Sequence, residues 1–240
     1  KQHPDVEDIY PDFEIRLRNP IHQSEPIPTR NPIHQDEWDF VNWDRGITCA
    51  VDKTGGPVDA SGKSTVVWVL DTGVQPHTDL NVETDPQLAV SFIPGQISDE
   101  NGHGTHVAGI IGAYENDLGA TGVSKGARVV PVKVLENSGE GRWSYLLAGL
   151  DHVSRYNSEN DVVNLSLGAY GIDMCNPNDK SFKILQKALR TLAQDKTFIV
   201  IAAGNDSGDV DNSLPGCISG NNIFTVAAMD CDPEDCSDYS

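Results

Sequence analysis

From Ser64 onward, runs that are apolar at nearly every position recur between amphipathic stretches: STVVWVLD at 64–71, ARVVPVKVL at 127–135, DVVNLSL at 161–167 and TFIVIAA at 197–203. A strand with one wet face alternates apolar and polar residues, so a strand without that alternation must be covered on both faces. Further strands are expected at 87–93 and 222–228. Helices are expected at 103–113, at 142–156, where Trp143, Leu146, Leu147, Leu150 and Val153 share one face, and at 180–194, where Phe182, Leu185, Leu189 and Leu192 align. Strand, helix, strand as a repeating unit predicts an α/β fold: a mostly parallel sheet flanked by helices in three layers, joined by right-handed crossovers. Sites in such sheets collect at the carboxyl ends of the strands.

The first 37 residues obey a different rule. They are rich in Pro and charge, RNPIHQ occurs at 18–23 and again at 30–35, and Pro20, Pro26, Pro28 and Pro32 forbid regular helix. Only 5–17 reads as strand-like. Across the chain, 17 Lys plus Arg against 36 Asp plus Glu leave a formal charge of -19. That balance argues against nucleic acid and an anionic membrane surface as partners. No run approaches the roughly 20 apolar residues that a membrane-spanning helix needs. Five cysteines (Cys49, Cys175, Cys217, Cys231, Cys236) fit one or two disulfides in an oxidising compartment, with one left over.

Two motifs carry chemistry. In VLDTG at 69–73 an apolar strand delivers Asp71 to its carboxyl end. Asp71 can be read as a turn-forming carboxylate, as a catalytic one, or as the nucleophile turn of an aspartic peptidase. The last reading needs a second Asp turn, which the sequence lacks. In NGHGTHVAGIIG at 101–112, His103 sits where a helix begins, with Gly102, Gly104 and Gly109 allowing close backbone approach. A general base needs an imidazole held by a carboxylate, and Asp71 is placed to hold it. His106 lacks the spacing and the intervening Glu of a zinc-peptidase helix and is expected to pack. SGKST at 61–65 echoes a phosphate loop, but Pro57 stands where Gly is required and a strand follows. Asn205, after Ala-Ala-Gly, is by itself a turn residue.

Taken in order, VLDTGVQPHTDL, NGHGTHVAGIIG, GVSKGARVVPVKVL, NLSLG and AAGN resemble the subtilisin-like serine peptidases, on their proteinase K-like side, from about Trp38 to Ser240. The resemblance implies that Asp71 orients His103, that His103 is the general base toward a serine, and that Asn205 donates to the oxyanion. It implies substrate walls at Ser166, Leu167 and Gly168 and at Ala202, Ala203 and Gly204. The methyl group of Ala169, where a second Gly is common, is expected to narrow the pocket entrance.

The family's nucleophile lies in a Gly-Thr-Ser-Met-Ala-like segment that residues 1–240 do not contain. The chain is therefore expected to be a secreted endopeptidase lacking its serine and inactive alone; the alternative is a serine-less module that binds extended peptides. The expected organisation is the end of an inhibitory propeptide at 1–17, a linker with the activation cleavage at 18–37, and the first part of the peptidase domain at 38–240. The expected partners are a peptide or protein substrate and the chain's own propeptide. The chemistry needs no cofactor. Calcium is a possible structural ion, with Asp230, Asp232, Glu234, Asp235 and Asp238 as an acidic run and no assignable site. The spacing of Cys231 and Cys236 suits a small disulfide loop. Asn164 and Asn205 begin glycosylation sequons expected to stay unused.

Overall fold

The computed structural model describes residues 14–16, 40–42, 45–172 and 174–228. In chain order its elements are β1 (Glu14–Arg16), β2 (Phe40–Asn42), β3 (Ile47–Thr48), α1 (Cys49–Lys53), β4 (Val66–Asp71), β5 (Asn81–Val82), β6 (Val90–Ser91) and α2 (His103–Gly112). They continue with β7 (Arg128–Lys133), β8 (Glu140–Arg142), α3 (Trp143–Tyr156), β9 (Val162–Leu165), β10 (Ala169–Tyr170), α4 (Lys180–Gln194), β11 (Phe198–Ala202), β12 (Ser213–Leu214) and β13 (Ile223–Val226).

All six of the expected strands after Ser64 enter one seven-stranded sheet, ordered β13-β11-β9-β4-β7-β5 with β6 also on β7. Every pairing in it is parallel. β4 lies between β9 and β7: the chain runs from β4 to β5 and β6 on the far side of β7, returns to β7 beside β4, and then adds β9, β11 and β13 outward on the other side. Such a reversal opens a crevice at the carboxyl ends of the central strands.

Side-chain period sorts β4 between two cores. Val66, Trp68 and Leu70 join the large core with α3 and α4, while Val69 joins Val74, Ala108 and Val129 under α2. This is the three-layer arrangement that the apolar strands required. Helix α4 spans the expected 180–194 and buries Phe182, Leu185, Leu189 and Leu192; it starts there because the Asp179 carboxylate accepts from Phe182 N at 3.0 Å. Helix α3 buries Trp143, Leu146, Gly149, Leu150 and Val153, and Leu147 is only partly buried at its edge.

A buried Asp161 links two strands at their amino ends. It accepts from Val66 N at 3.0 Å, from Trp68 Nε1 at 3.1 Å and from Ser158 N at 2.9 Å. The strand-like reading of 5–17 falls mostly outside the described residues; the described part, β1, pairs antiparallel with β8 and buries Ile15 completely. Cys175 and Cys217 form a disulfide, and Cys49 is also disulfide-bonded. The proposed Cys231–Cys236 loop and the acidic run from Asp230 to Asp238 lie outside the described residues. Among the described residues no helix is long and apolar enough to cross a membrane.

Candidate active site

Strand β4 ends on Asp71, whose side chain is fully buried. Its carboxylate accepts from Thr72 N at 2.7 Å and faces His103 Nδ1 at 2.8 and 2.9 Å through its two oxygens. A carboxylate offers only acceptors, so the imidazole places its proton on Nδ1 and keeps Nε2 as an acceptor. Burial of the His103 ring disfavours its charged form. The hydrogen bond and charge of Asp71, followed by the charge of Asp99, outweigh that cost and raise its pKa above the ordinary 6.5.

Close packing of α2 on β4 makes this contact possible. A Cβ on Gly104 would stand 1.9 Å from Gly73 O and 3.1 Å from Asp71 Cβ. Of the three glycines expected to admit close approach, only Gly104 does so. Gly102 instead adopts φ 93° at the start of the helix, and a Cβ on Gly109 would meet nothing within 4 Å. His106, expected to pack, is exposed, because one hundred degrees of helical turn per residue carries it away from the sheet-facing side of Gly104 and Ala108.

The capping of α2 comes from a residue that no motif singles out. Gly102 has no side chain to cap with, and Asp99, only 4% exposed, accepts from Gly102 N at 2.8 Å, Thr105 N at 2.9 Å and Thr105 Oγ1 at 2.6 Å. It also accepts from Thr72 Oγ1 at 2.8 Å. A buried cation completes the surroundings: Lys133 Nζ donates to Thr72 O and to Asn137 Oδ1. Burial lowers the Lys133 pKa, against the charges of Asp99 and Asp71. The one sequence signal for Asp99 is an acidic residue just before a helix start, a weak sign in a chain with 36 acidic residues.

His103 lines an open cleft together with Ser166, Leu167, Ala202, Gly204 and Asn205. The adjacent parallel strands β9 and β11 deliver these residues, with Leu165 paired to Ile201. Of the six expected wall residues, Ser166, Leu167, Ala202 and Gly204 are brought to His103 in this way, and the other two, Gly168 and Ala203, make contacts of their own. Gly168 lies against Leu214 O, where a Cβ would approach to 2.9 Å, and Ala203 N donates to Val226 O at 2.9 Å. Ala169 pairs with Leu214 in the β10–β12 ribbon and is partly buried against the large core. Asn164 Nδ2 donates to Ser166 Oγ at 2.9 Å. Among the described residues no group of three or more His, Cys, Asp or Glu side chains is placed to hold a metal ion.

A parallel three-layer α/β sheet thus carries a buried Asp-His pair beside a cleft at its carboxyl edge. The chain belongs to the subtilase family of subtilisin-like serine peptidases: the family model for the subtilase family matches residues 62–240. It is 38% identical over 172 residues to Subtilisin Savinase of Lederbergia lenta, covering 71% of this chain and 57% of that protein. It is 35% identical over 168 residues to the Minor extracellular protease Epr of Bacillus subtilis (strain 168), covering 70% of this chain and 24% of that protein. The crystal structure of a cold adapted subtilisin-like serine proteinase superposes with TM-score 0.60 at 28% identity, covering 77% of this chain and 62% of that one. The chain thus spans about a quarter to three fifths of the length of these relatives.

Proposed function

We propose that these residues form the acid-base and oxyanion part of a secreted endopeptidase that hydrolyses peptide bonds through an Asp-His-Ser triad. The observation that carries this reading is the buried Asp71 carboxylate on His103 Nδ1, with the imidazole lining the same cleft as Asn205. In this reading Asp71 holds the tautomer and steadies the imidazolium. His103 Nε2 removes the hydroxyl proton of a serine and later returns it to the leaving amine. The Asn205 side chain donates to the oxygen that becomes negative as the carbonyl turns tetrahedral. The serine is supplied by a Gly-Thr-Ser segment outside residues 1–240, so these residues alone are inactive; loss of the serine costs about two million-fold in turnover in a subtilisin. No cofactor is required. A relative whose name marks it as extracellular, and disulfides at Cys175, Cys217 and Cys49, support secretion.

The substrate is an extended peptide or protein chain, and residues 1–17 are the end of a propeptide that inhibits the same enzyme. The antiparallel pairing of Glu14–Arg16 with Glu140–Arg142 supports that view. Backbone bonds of this strand-addition type give affinity, and the completely buried Ile15 gives selectivity. Activation then cuts within 18–37.

A fluorophosphonate probe tests the function. Stoichiometric labelling of the full-length protein at a serine is expected, lost in His103→Ala, together with no labelling of a polypeptide limited to residues 1–240. Labelling of the 240-residue polypeptide would overturn the reading, and a full-length protein that never labels would make it a peptide-binding module. A synthetic peptide covering 5–18 should inhibit the mature enzyme, and the Ile15→Asp peptide should not.

A further inference from the structure

Four hydrogen bonds converge on one buried carboxylate that the triad chemistry does not use. Asp99 Oδ1 accepts from Thr72 Oγ1 and from Gly102 N, each at 2.8 Å, and Oδ2 accepts from the backbone and hydroxyl of Thr105 at 2.9 and 2.6 Å. Thr72 directly follows β4 and the other donors belong to the start of α2. Capping the helix alone would not require the bond to Thr72.

Thr72 is the hinge of the arrangement. Its N–H donates to Asp71 Oδ1 at 2.7 Å, and its hydroxyl, while donating to Asp99, accepts from Gly104 N at 3.0 Å. Its carbonyl accepts from Lys133 Nζ. The path from Asp71 through Thr72 and Asp99 to the first turn of α2, and back through His103, is a closed ring of hydrogen bonds. Each member is buried or half-buried, where a bond is stronger than in water and a lost partner costs most.

Granted the peptidase reading above, we propose that Asp99 is a positioning residue for the catalytic pair: it joins the residue beside Asp71 to the helix turn that carries His103, and so sets the contact between them. Its charge has a second consequence. The groups that face His103 are Asp71 from β4, Asp99 from the segment before α2 and His106 from the same helix, while Lys133 from β7 faces the two carboxylates. Asp99 therefore adds to Asp71 in favouring the imidazolium that forms during proton transfer.

The test uses the full-length protein and reads His103 by NMR, through its Nδ1 proton and its titration midpoint. In Asp99→Asn the Nδ1 resonance is expected to broaden or shift and the midpoint to fall. Thr72→Val is expected to disturb the resonance while leaving more of the midpoint, because the charge on Asp99 stays. Thr72→Ser, which keeps the hydroxyl, is expected to restore the wild-type signature. In turnover, Asp99→Asn and Thr72→Val should lower kcat on the order of 10- to 100-fold with KM unchanged, the scale of a misplaced reacting group.

A folded Asp99→Asn protein with both NMR signatures unchanged overturns the proposal. If Asp99→Asn does not fold, a Thr72→Val protein with an unchanged resonance and unchanged kcat overturns it instead. The NMR readouts need no turnover, so a protein that shows them but never labels at a serine refutes the peptidase reading and leaves the positioning link standing.

Discussion

Gly104→Ala and Gly109→Ala make the same chemical change on the same helix and should change stability in opposite directions. In an unobstructed helix, Ala is favoured over Gly by about 1 kcal/mol. At Gly109 a Cβ meets nothing within 4 Å, so that gain of about 0.5–1 kcal/mol should appear in full. At Gly104 the Cβ would sit 1.9 Å from Gly73 O, short of ordinary contact by about 1.5 Å. The obstacle is backbone at the end of β4, not the tip of a flexible side chain. Overpacking of this kind costs about 3 kcal/mol, and subtracting the helix gain leaves a net loss of about 2 kcal/mol. Relief by moving the helix would pull His103 from Asp71, so the Nδ1 proton resonance should weaken in the Gly104→Ala protein and not in Gly109→Ala. Urea denaturation of both variants measures the signs. A Gly104→Ala protein as stable as wild type, with its Nδ1 resonance intact, would refute the close-packing account of the Asp71–His103 contact.

Further perturbations have expected outcomes. Because the folded His103 pKa is raised above 6.5, activity that needs the neutral base should appear with a midpoint above that value. The stabilisation from the protonated ring should run the other way, fully present below about pH 6.5 and lost as the pH rises through the folded pKa. A pH–rate profile, and denaturation of wild type against His103→Ala across the same range, check the two trends. Asp161→Ala leaves Val66 N, Trp68 Nε1 and Ser158 N without their buried acceptor and should cost about 3 kcal/mol or more, read by urea denaturation. Replacing Cys175 and Cys217 by Ser removes a cross-link over a sequence separation of 42 and should cost about 2–4 kcal/mol, read by thermal or denaturant unfolding.

Much of the sheet was legible because covering both faces leaves a mark along the chain itself: β4, β7, β9 and β11 fall inside the apolar runs. Helix α4 was legible from its periodic Phe182, Leu185, Leu189 and Leu192. The short strands β5, β8, β10 and β12 were not, since two or three residues carry no period and gain their strand character from a partner. The pairing of Asp71 with His103 could be read from two motifs, one at the end of β4 and one at the start of α2. Asp99 could not, because its donors come from Thr72, Gly102 and Thr105, and only folding gathers them.

By itself the sequence determined the layered α/β class, the element that carries each motif, and the family, because apolar period and motif order are properties of a linear chain. The tertiary structure alone decided which of the motif's glycines admits the close approach, that Ala169 packs against the large core, that Ile15 is buried against β8, and that Asp99 bonds both to Thr72 and to the start of α2. Those are contacts between residues distant in sequence, and their energies depend on distances and burial that no local pattern encodes.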